Sequence, residues 1–264
     1  MNKIPAKIDR LIKDLEQRYI KYKIDGLIKD LEQRCNNYES NITPEQEASM
    51  PMFVEKYTEI GINTDPIDRD KARAYASKLY KFLEYHDPQV LFANGPTEAW
   101  LMTVWVNHMQ QNNIEIPEKA EDIVFDFDAI RKVAKGVSFV RSHLDGQMMA
   151  SWVSWVKFMQ FAGMELPKDF NLIEDQIEFN VIYLLNGYCI FSDRFSEVHI
   201  KDKKLHCDGG PSIEYLDGTR CWSLNGIAVP QWLAETSKEQ LNLNDLLLID
   251  DEMAQYEFLK KFNS

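Results

Sequence analysis

Three residues in the carboxyl-terminal third of the chain have the types and spacing of metal ligands. His199 and His206 flank the segment IKDKKL, and Asp208 follows the second histidine by two residues. If the chain reverses at Asp202-Lys203, the two histidines lie opposite each other on neighbouring strands. Two imidazoles and a carboxylate can bind Zn²⁺ and leave one position open for water. The alternative is structural. The two imidazole rings pack or hydrogen-bond on a half-exposed sheet face, and Asp208 is a residue of a turn.

A second candidate pair precedes an apolar stretch in the middle of the chain. His143 and Asp145 have the types required of a general base and its partner. The alternative is a helix N-terminus at which Asp145 accepts backbone N–H groups. The sequence contains no GxxxxGK[ST], GxGxxG, HExxH or GxSxG motif. Phosphate-loop, dinucleotide and common hydrolase chemistries therefore have no motif to support them.

The elements that must position the first cluster are strands joined by tight turns. Asp217-Gly218 and Asn225-Gly226 both match two-residue type I′ turns. With both turns in place, strand alternation brings six apolar residues onto one face: Ile213, Tyr215, Trp222, Leu224, Ile227 and Val229. Ser212 and Ser223 fall on the other face. The sequence therefore predicts a β-meander over 188–230, with Trp222 packed against helices.

Helical periodicity dominates the remainder of the chain. Thr43 is placed to cap a helix that starts at Pro44, and a nearly uniform apolar stretch at 146–163 indicates a helix covered on every side. After Asp250, apolar residues recur at every third position, which predicts a terminal helix with one apolar side. They are Met253, Tyr256, Leu259 and Phe262. The predicted fold class is α+β. A mainly helical body (41–180) precedes the antiparallel β-meander and carboxyl-terminal helices at 236–262.

The first 40 residues contain an internal duplication. The segment IDRLIKDLEQR (8–18) recurs as IDGLIKDLEQR (24–34), and only Arg10 and Gly26 differ. On one straight helix, a shift of 16 residues rotates the apolar stripe by roughly 160°. Either the chain bends near Gly26 into a helical hairpin, or both apolar stripes pack against other segments. We interpret 1–40 as a separate arm, a coiled coil or hairpin, that binds another protein or a second copy. The alternative is a duplication with little function.

Composition excludes several classes of function. The formal net charge is -12, which disfavours non-specific nucleic-acid binding because that affinity comes mainly from Lys and Arg. No stretch has the roughly 18 apolar residues of a membrane span, and the first residues do not match a signal peptide. The four cysteines show no CxxC pairing. A cytoplasmic protein with reduced thiols is the simplest interpretation, with no membrane partner.

Three segments together resemble one bacterial family. They are ITPEQEASMPMFVEKYTEIGINTDPIDRDKARAYASKLYKFL, DGQMMASWVSWVKFMQFAGMEL, and YCIFSDRFSEVHIKDKKLHCDGGPSIEYLDGTRCWSLNGIAVPQWL. The family is the uncharacterised DUF6745 domain, and the resemblance covers roughly 42–264. The hairpin stretch is also similar to the LHxxDGPA…YxDGxxxWxxNG repeats of MORN-like and phage-associated proteins. The resemblance implies a bacterial domain but no catalytic residues. The chain departs from the family at Cys207, where an acidic residue is usual, and at Phe195, where proline is usual.

These observations predict a cytoplasmic protein-interaction or regulatory protein that needs no cofactor. The rival is a metal- or His-dependent hydrolase acting on a nucleotide or nucleic acid. In that hypothesis His199, His206 and Asp208 are both the catalytic and the divalent-metal residues. A third hypothesis, suggested by the phage-associated repeats, is a defence or counter-defence factor that binds another protein.

Overall fold

The computed structural model describes residues 6–112, 114–117, 122–134 and 143–263, with the backbone alone at 6–21, 40, 133 and 143. Contacts between Cα atoms divide the chain into two units, Met1–Asp193 and Arg194–Ser264. Within the described residues, no helix combines the length and the apolar character needed to cross a lipid bilayer.

Unit 1 is rich in helices. They are α1 (Ala6–Tyr38), α2 (Pro44–Glu47), α3 (Met50–Gly61), α4 (Arg69–Phe82), α5 (Pro96–Gln111), α6 (Phe127–Ala134), α7 (Ala150–Phe161) and α8 (Phe170–Gln176). The predicted cap at Thr43 is confirmed: its side chain accepts from the Gln46 backbone, and the Gln46 side chain accepts in return from the Thr43 N–H. The helix it starts is short, however, because the chain leaves helical hydrogen bonding after Glu47 and resumes at Met50.

A mixed sheet lies between these helices. Its strands are β1 (Gln89–Ala93), β2 (His143–Asp145), β3 (Val181–Leu185) and β4 (Tyr188–Ser192), in the order β1-β4-β3-β2. β1 runs parallel to β4, and the other pairs are antiparallel. Helix α4 packs on one face and α5 on the other, which explains why β3 and β4 are nearly all apolar. The sequence predicted the strand at 188–191, but it did not predict β1 or β2 within the supposedly helical body.

The duplicated segment is one continuous helix rather than a hairpin. α1 runs through Gly26 without a break, and a Cβ at that position would meet nothing within 4 Å. The hairpin alternative is therefore wrong. Ile24, Leu31 and Cys35, which belong to the second copy or follow it directly, are buried in the cores of unit 1. The second copy is thus part of unit 1, although the sequence placed it in a separate arm.

Helix α7 is less enclosed than the sequence predicted. Val153, Val156 and Met159 are fully buried against α3 and α8. Met148, just before the helix, and Phe161, at its end, are each more than half exposed. The helix therefore has one side that the described chain does not cover.

Unit 2 contains short strands and a few helical turns. The strands are β5 (Glu197–Val198), β6 (Ile200–Lys201), β7 (Lys204–Leu205), β8 (Ile213–Glu214), β9 (Arg220–Cys221), β10 (Ser223–Leu224) and β11 (Ile227–Ala228). The helices are α9 (Gln231–Glu235) and α10 (Glu252–Asn263), with 3-10 helices at Lys238–Gln240 and Leu243–Leu248. The described chain is therefore an α+β protein that ends in an antiparallel strand-rich region and a terminal helix, as the sequence predicted.

One of the two predicted hairpin turns is confirmed. Asn225 and Gly226 have φ angles of 51° and 87°, the two positive values that a type I′ turn requires. Leu224 pairs with Ile227, as predicted, and the Val229 N–H donates to the Trp222 carbonyl at 2.9 Å.

The other predicted turn differs by one residue. At Asp217-Gly218 only the glycine has a positive φ, 83°, so the loop is not type I′. The Tyr215 N–H donates to the Thr219 carbonyl at 2.9 Å, which makes Leu216 part of a three-residue loop. A type I turn followed by a left-handed glycine is the common geometry for that loop length. The register predicted for this hairpin was therefore wrong by one position.

The changed register divides the predicted meander into separate strand pairs. β8 pairs with β5 and β9, while β10 pairs with β11. Ser212 and Ser223, predicted on the outer face, are instead buried. Trp222 nevertheless packs, half-buried, with Leu224 and Val229 in the core of unit 2, against residues of α9 and α10. The packing of Trp222 on helices is thus confirmed within unit 2.

The terminal helix presents a different face from the predicted one. Its buried residues are Ala254, Glu257, Phe258 and Lys261. Met253 and Tyr256, predicted on the core side, are each more than half exposed. The prediction failed because two core-facing positions are polar and satisfied by hydrogen bonds. Asp251, rather than Asp250, accepts from the Ala254 N–H at the start of the helix.

Candidate functional site

The structure brings the backbones of the two candidate histidines together. Asp202 and Lys203 have φ angles of 50° and 61°, so the turn is type I′ although neither residue is glycine. Lys201 pairs with Lys204, and the His206 N–H donates to the His199 carbonyl at 3.0 Å. The predicted alignment of the histidines is confirmed at the level of the main chain.

Their side chains have different partners. His199 Nε2 lies 3.1 Å from Glu197 Oε1, and His206 Nδ1 accepts the Asn225 backbone N–H at 3.0 Å. Asp208 Oδ1 accepts from the Lys261 ammonium at 2.6 Å. On the described part of the chain, no three His, Cys, Asp or Glu residues are grouped so that they could hold a metal ion. The metal and catalytic assignments of these three residues stay a prediction.

The Lys261 ammonium is the centre of a polar cluster inside unit 2. Its side chain is 7% exposed, and besides Asp208 it donates to the Leu233 and Ala234 carbonyls, each at 2.9 Å. Glu257, one helical turn earlier, is also buried and accepts from Asn225 Nδ2 at 2.6 Å. Both residues therefore join α10 to neighbouring backbone segments, which is a structural role.

Of the second candidate pair, only part is described. Asp145 pairs with Val181 in the sheet of unit 1, and His143, two residues earlier in the same strand, pairs with Tyr183. The side chain of His143 lies outside the described residues, so the general-base hypothesis stays a prediction.

A groove in unit 1 is a site that the sequence did not indicate. It has a volume of about 590 Å³ and lies between the N-terminal part of α4, β1 and the segment at 123–125. Val90 and Phe92 belong to the face of β1 that packs toward α4, whereas Leu91 belongs to the opposite face, toward α5. All three line the groove. Because a single groove touches residues of both faces, it runs along the edge of β1.

The hydrogen-bond pattern shows which groups of β1 point toward the groove. β1 is the outermost strand of the described sheet. The Gln89 N–H donates to the Gly187 carbonyl at 2.8 Å, and the Ala93 carbonyl accepts from the Asp193 N–H at the same distance. Alternate residues of a parallel strand bond to the same neighbour. Val90 and Phe92 therefore direct their backbone N–H and C=O groups away from β4, toward the groove.

The two ends of the groove have opposite charge. At one end the guanidinium carbons of Arg69 and Arg73 lie 5.1 and 5.3 Å from the centre of the Phe92 ring. Arg73 Nη1 donates to Asp70 Oδ1 at 3.0 Å. A guanidinium has five N–H groups, so a stacked arginine with one such bond can still donate to a further carboxylate. At the other end the Ser77 hydroxyl donates to Asp87 Oδ1 at 2.8 Å.

Helix α4 is held firmly where it carries the two arginines. Its cap is Asp68, which accepts from the backbone N–H groups of Lys71 and Asp70. These hydrogen bonds, the one from Lys71 first, lower the pKa of the Asp68 carboxyl. Deeper in the helix, burial raises the pKa of Tyr75 and of Tyr80 well above the usual range, so both hydroxyls stay neutral. The basic end of the groove is therefore built on a capped helix whose inner side is buried.

No family model, curated protein or solved structure matches this chain. The resemblance of 42–264 to the DUF6745 family therefore stays a prediction, and the groove is interpreted from its geometry. A local signal for strand β1, though not for the groove itself, does exist in the sequence. The short apolar run VLFA lies between Asp-Pro and Asn-Gly-Pro, and such a run bounded by turn residues is typical of a buried strand.

Proposed function

We propose that this protein is a protein-interaction module whose first unit binds an extended segment of a partner protein. The segment adds to the sheet as a strand beside β1. The observation that carries the proposal is the groove that runs along the strand edge and contacts both faces of the sheet. Exposed strand edges bind peptides through main-chain hydrogen bonds, while side pockets give specificity.

The shape and charge of the groove define the partner. Along the five residues of β1, an added strand spans roughly 17 Å. Apolar side chains of the peptide contact Leu91, Met102 and Phe125, which line the groove. A carboxylate, from Asp, Glu or a chain terminus, lies at the Phe92 end, where Arg69 and Arg73 can each donate to it. The partner is therefore an acidic, apolar segment in extended conformation.

Two features support binding rather than catalysis in this groove. Its described lining includes neither histidine nor cysteine, and its one serine donates to Asp87 instead of facing a base. A serine or cysteine nucleophile needs such a base to activate it. The hydrolase hypothesis therefore concerns His199, His206 and Asp208 rather than this groove.

A cytoplasmic location is part of the proposal. All four cysteines are free, including Cys207 and Cys221, which are not fully buried. Free thiols that solvent can reach are typical of a reducing compartment.

The test is selection of peptides from a random library on the immobilised full chain, followed by titration of a selected peptide. We expect Arg73→Glu to weaken binding by roughly 10- to 150-fold, since one charge-assisted hydrogen bond contributes about 1.5–3 kcal/mol. Arg131→Glu is the matched control. Arg131 has nearly the same exposed fraction as Arg73, 54% against 55%, and it too bonds to an aspartate three residues earlier.

A second variant tests the strand edge itself. Val90→Pro removes one N–H that points into the groove, and proline is tolerated on edge strands. It should abolish peptide binding while the far-UV circular dichroism is kept. The proposal fails if no peptide is selected, or if selected peptides bind Arg73→Glu as well as they bind the parent chain. Binding of a nucleotide, but of no peptide, would identify a small-molecule site instead.

A further inference from the structure

Unit 2 has a concentration of exposed apolar side chains near its carboxyl end. Of the fourteen large apolar side chains that are exposed on the described chain, five lie between Leu243 and Tyr256. They are Leu243, Leu247, Leu248, Met253 and Tyr256, which we call the leucine patch. Leu247 and Leu248 are 84% and 70% exposed. Clusters of this kind usually mark a docking surface.

The part of the patch around Leu247 and Leu248 is bordered by acidic residues, whereas Lys260 Nζ lies 4.5 Å from the centre of the Tyr256 ring. Residues 241–259 contain five Asp or Glu residues and no Lys, Arg or His. Asp250, Asp251 and Glu252 are exposed and follow directly after the 3-10 helix that carries the leucines. An apolar surface with an acidic border is complementary to an amphipathic segment whose polar residues are basic.

The chain itself contains such a segment. Residues 1–23 hold seven Lys or Arg against three Asp or Glu, in a protein whose net charge is -12. They include the first copy of the duplicated sequence, which repeats ten of the eleven residues of the second copy.

The second copy shows that this sequence works as a packing surface. Its apolar positions Ile24, Leu27, Ile28 and Leu31 are all buried or half-buried in the cores of unit 1. The first copy has the same residue types at each corresponding position, 16 residues earlier. A helix with this stripe can therefore bury it against an apolar surface.

We propose that residues 1–23 of one molecule bind the leucine patch of a second copy of the chain. The first repeat covers Leu247 and Leu248, and its positive charge is complementary to the negative charge of Asp250 and Glu252. As a helix, residues 6–23 span about 27 Å, long enough to cross a patch of two short elements. Two molecules can exchange these contacts reciprocally, which closes the assembly as a symmetric dimer.

The test is sedimentation velocity of the full chain over a range of concentrations. The parent chain should form dimers below about 100 μM. Leu247→Glu with Leu248→Glu should weaken dimerisation by at least about tenfold. Leu216→Glu is the matched control, because Leu216 is a leucine of unit 2 with 69% exposure that lies outside the patch. It should leave dimerisation unchanged.

A charge exchange identifies the bound segment. Lys7→Glu with Arg10→Glu should disrupt the dimer, and adding Asp250→Lys with Glu252→Lys should restore it. A synthetic peptide of residues 1–23, added in excess, should dissociate the parent dimer. A chain that stays monomeric at all concentrations overturns the proposal. So does a dimer that is insensitive to the leucine substitutions, or one that the charge exchange does not restore.

Discussion

The buried ammonium of Lys261 gives the sharpest stability prediction. Replacing Lys261 with Met keeps most of the side-chain volume but removes three hydrogen bonds, to Asp208, to the Leu233 carbonyl and to the Ala234 carbonyl. The three lost hydrogen bonds differ in their energetic cost. Asp208 is 57% exposed and regains water, and the Ala234 carbonyl still accepts from the Gly209 N–H. The Leu233 carbonyl, in a fully buried residue, loses a donor outright.

The expected loss of stability follows from these hydrogen bonds. A buried polar group left without a partner costs about 1–3 kcal/mol, and the loss of a charged hydrogen bond to a partly exposed group adds about 1 kcal/mol. We therefore expect Lys261→Met to lower the free energy of unfolding by roughly 2–4 kcal/mol. Lys238 is an exposed lysine of unit 2, so Lys238→Met is the matched control and should have a much smaller effect.

The assay must resolve unit 2 from unit 1, because a chain of two units need not unfold in one step. Hydrogen exchange followed by mass spectrometry on peptides from 194–264 reports the opening free energy of unit 2 directly. Urea titration with tryptophan fluorescence gives the global value. If Lys261→Met and Lys238→Met change exchange in unit 2 equally, the interpretation of the Lys261 cluster is refuted.

Three other predictions test separate parts of the structure. Gly146→Ala should destabilise unit 1 by ~1–3 kcal/mol, because the added Cβ would lie 2.5 Å from the Asn180 carbonyl oxygen. Gly26→Ala, at an open position of α1, should instead stabilise unit 1 by up to ~1 kcal/mol. Equal midpoints of urea unfolding for the two variants would contradict this. Tyr80→Phe should cost about 1–3 kcal/mol, because the fully buried hydroxyl accepts the Leu185 N–H and has its single proton within reach of the carbonyls at both ends of the β3–β4 turn. A thermal melt unchanged from the parent would exclude that role. Purified protein should contain less than stoichiometric zinc by elemental analysis; zinc at one per chain that His206→Ala removes would support the metal hypothesis instead.

Short-range features of the fold could be predicted from the sequence, because their causes lie within a few residues. The type I′ turn at Asn225-Gly226 and the capping box at Thr43 depend only on local backbone geometry. The hairpin at Asp217-Gly218 shows the limit of that reasoning, because the same dipeptide also fits a three-residue loop. The choice between them moves every pair in the hairpin by one position.

The groove could not be predicted, because distant segments form it. β1 pairs with β4 across about a hundred residues, and α4 and the segment at 123–125 complete the walls. The face of α10 was mispredicted for a similar reason. Glu257 and Lys261 are polar, yet hydrogen bonds with Asn225 and Asp208, which lie far away in sequence, allow both to be buried.

Amide protection on the edge strand tests the central claim most directly. In the full chain labelled with ¹⁵N, the exchange rates of the Val90 and Phe92 amides are measured without and with a saturating selected peptide. Strand addition predicts that both amides become strongly protected, and that peptide backbone protons show nuclear Overhauser contacts to Phe92. If the peptide binds but leaves both amides exchanging as before, or if its contacts lie elsewhere on the molecule, β1 is not the binding edge and the proposed function is wrong.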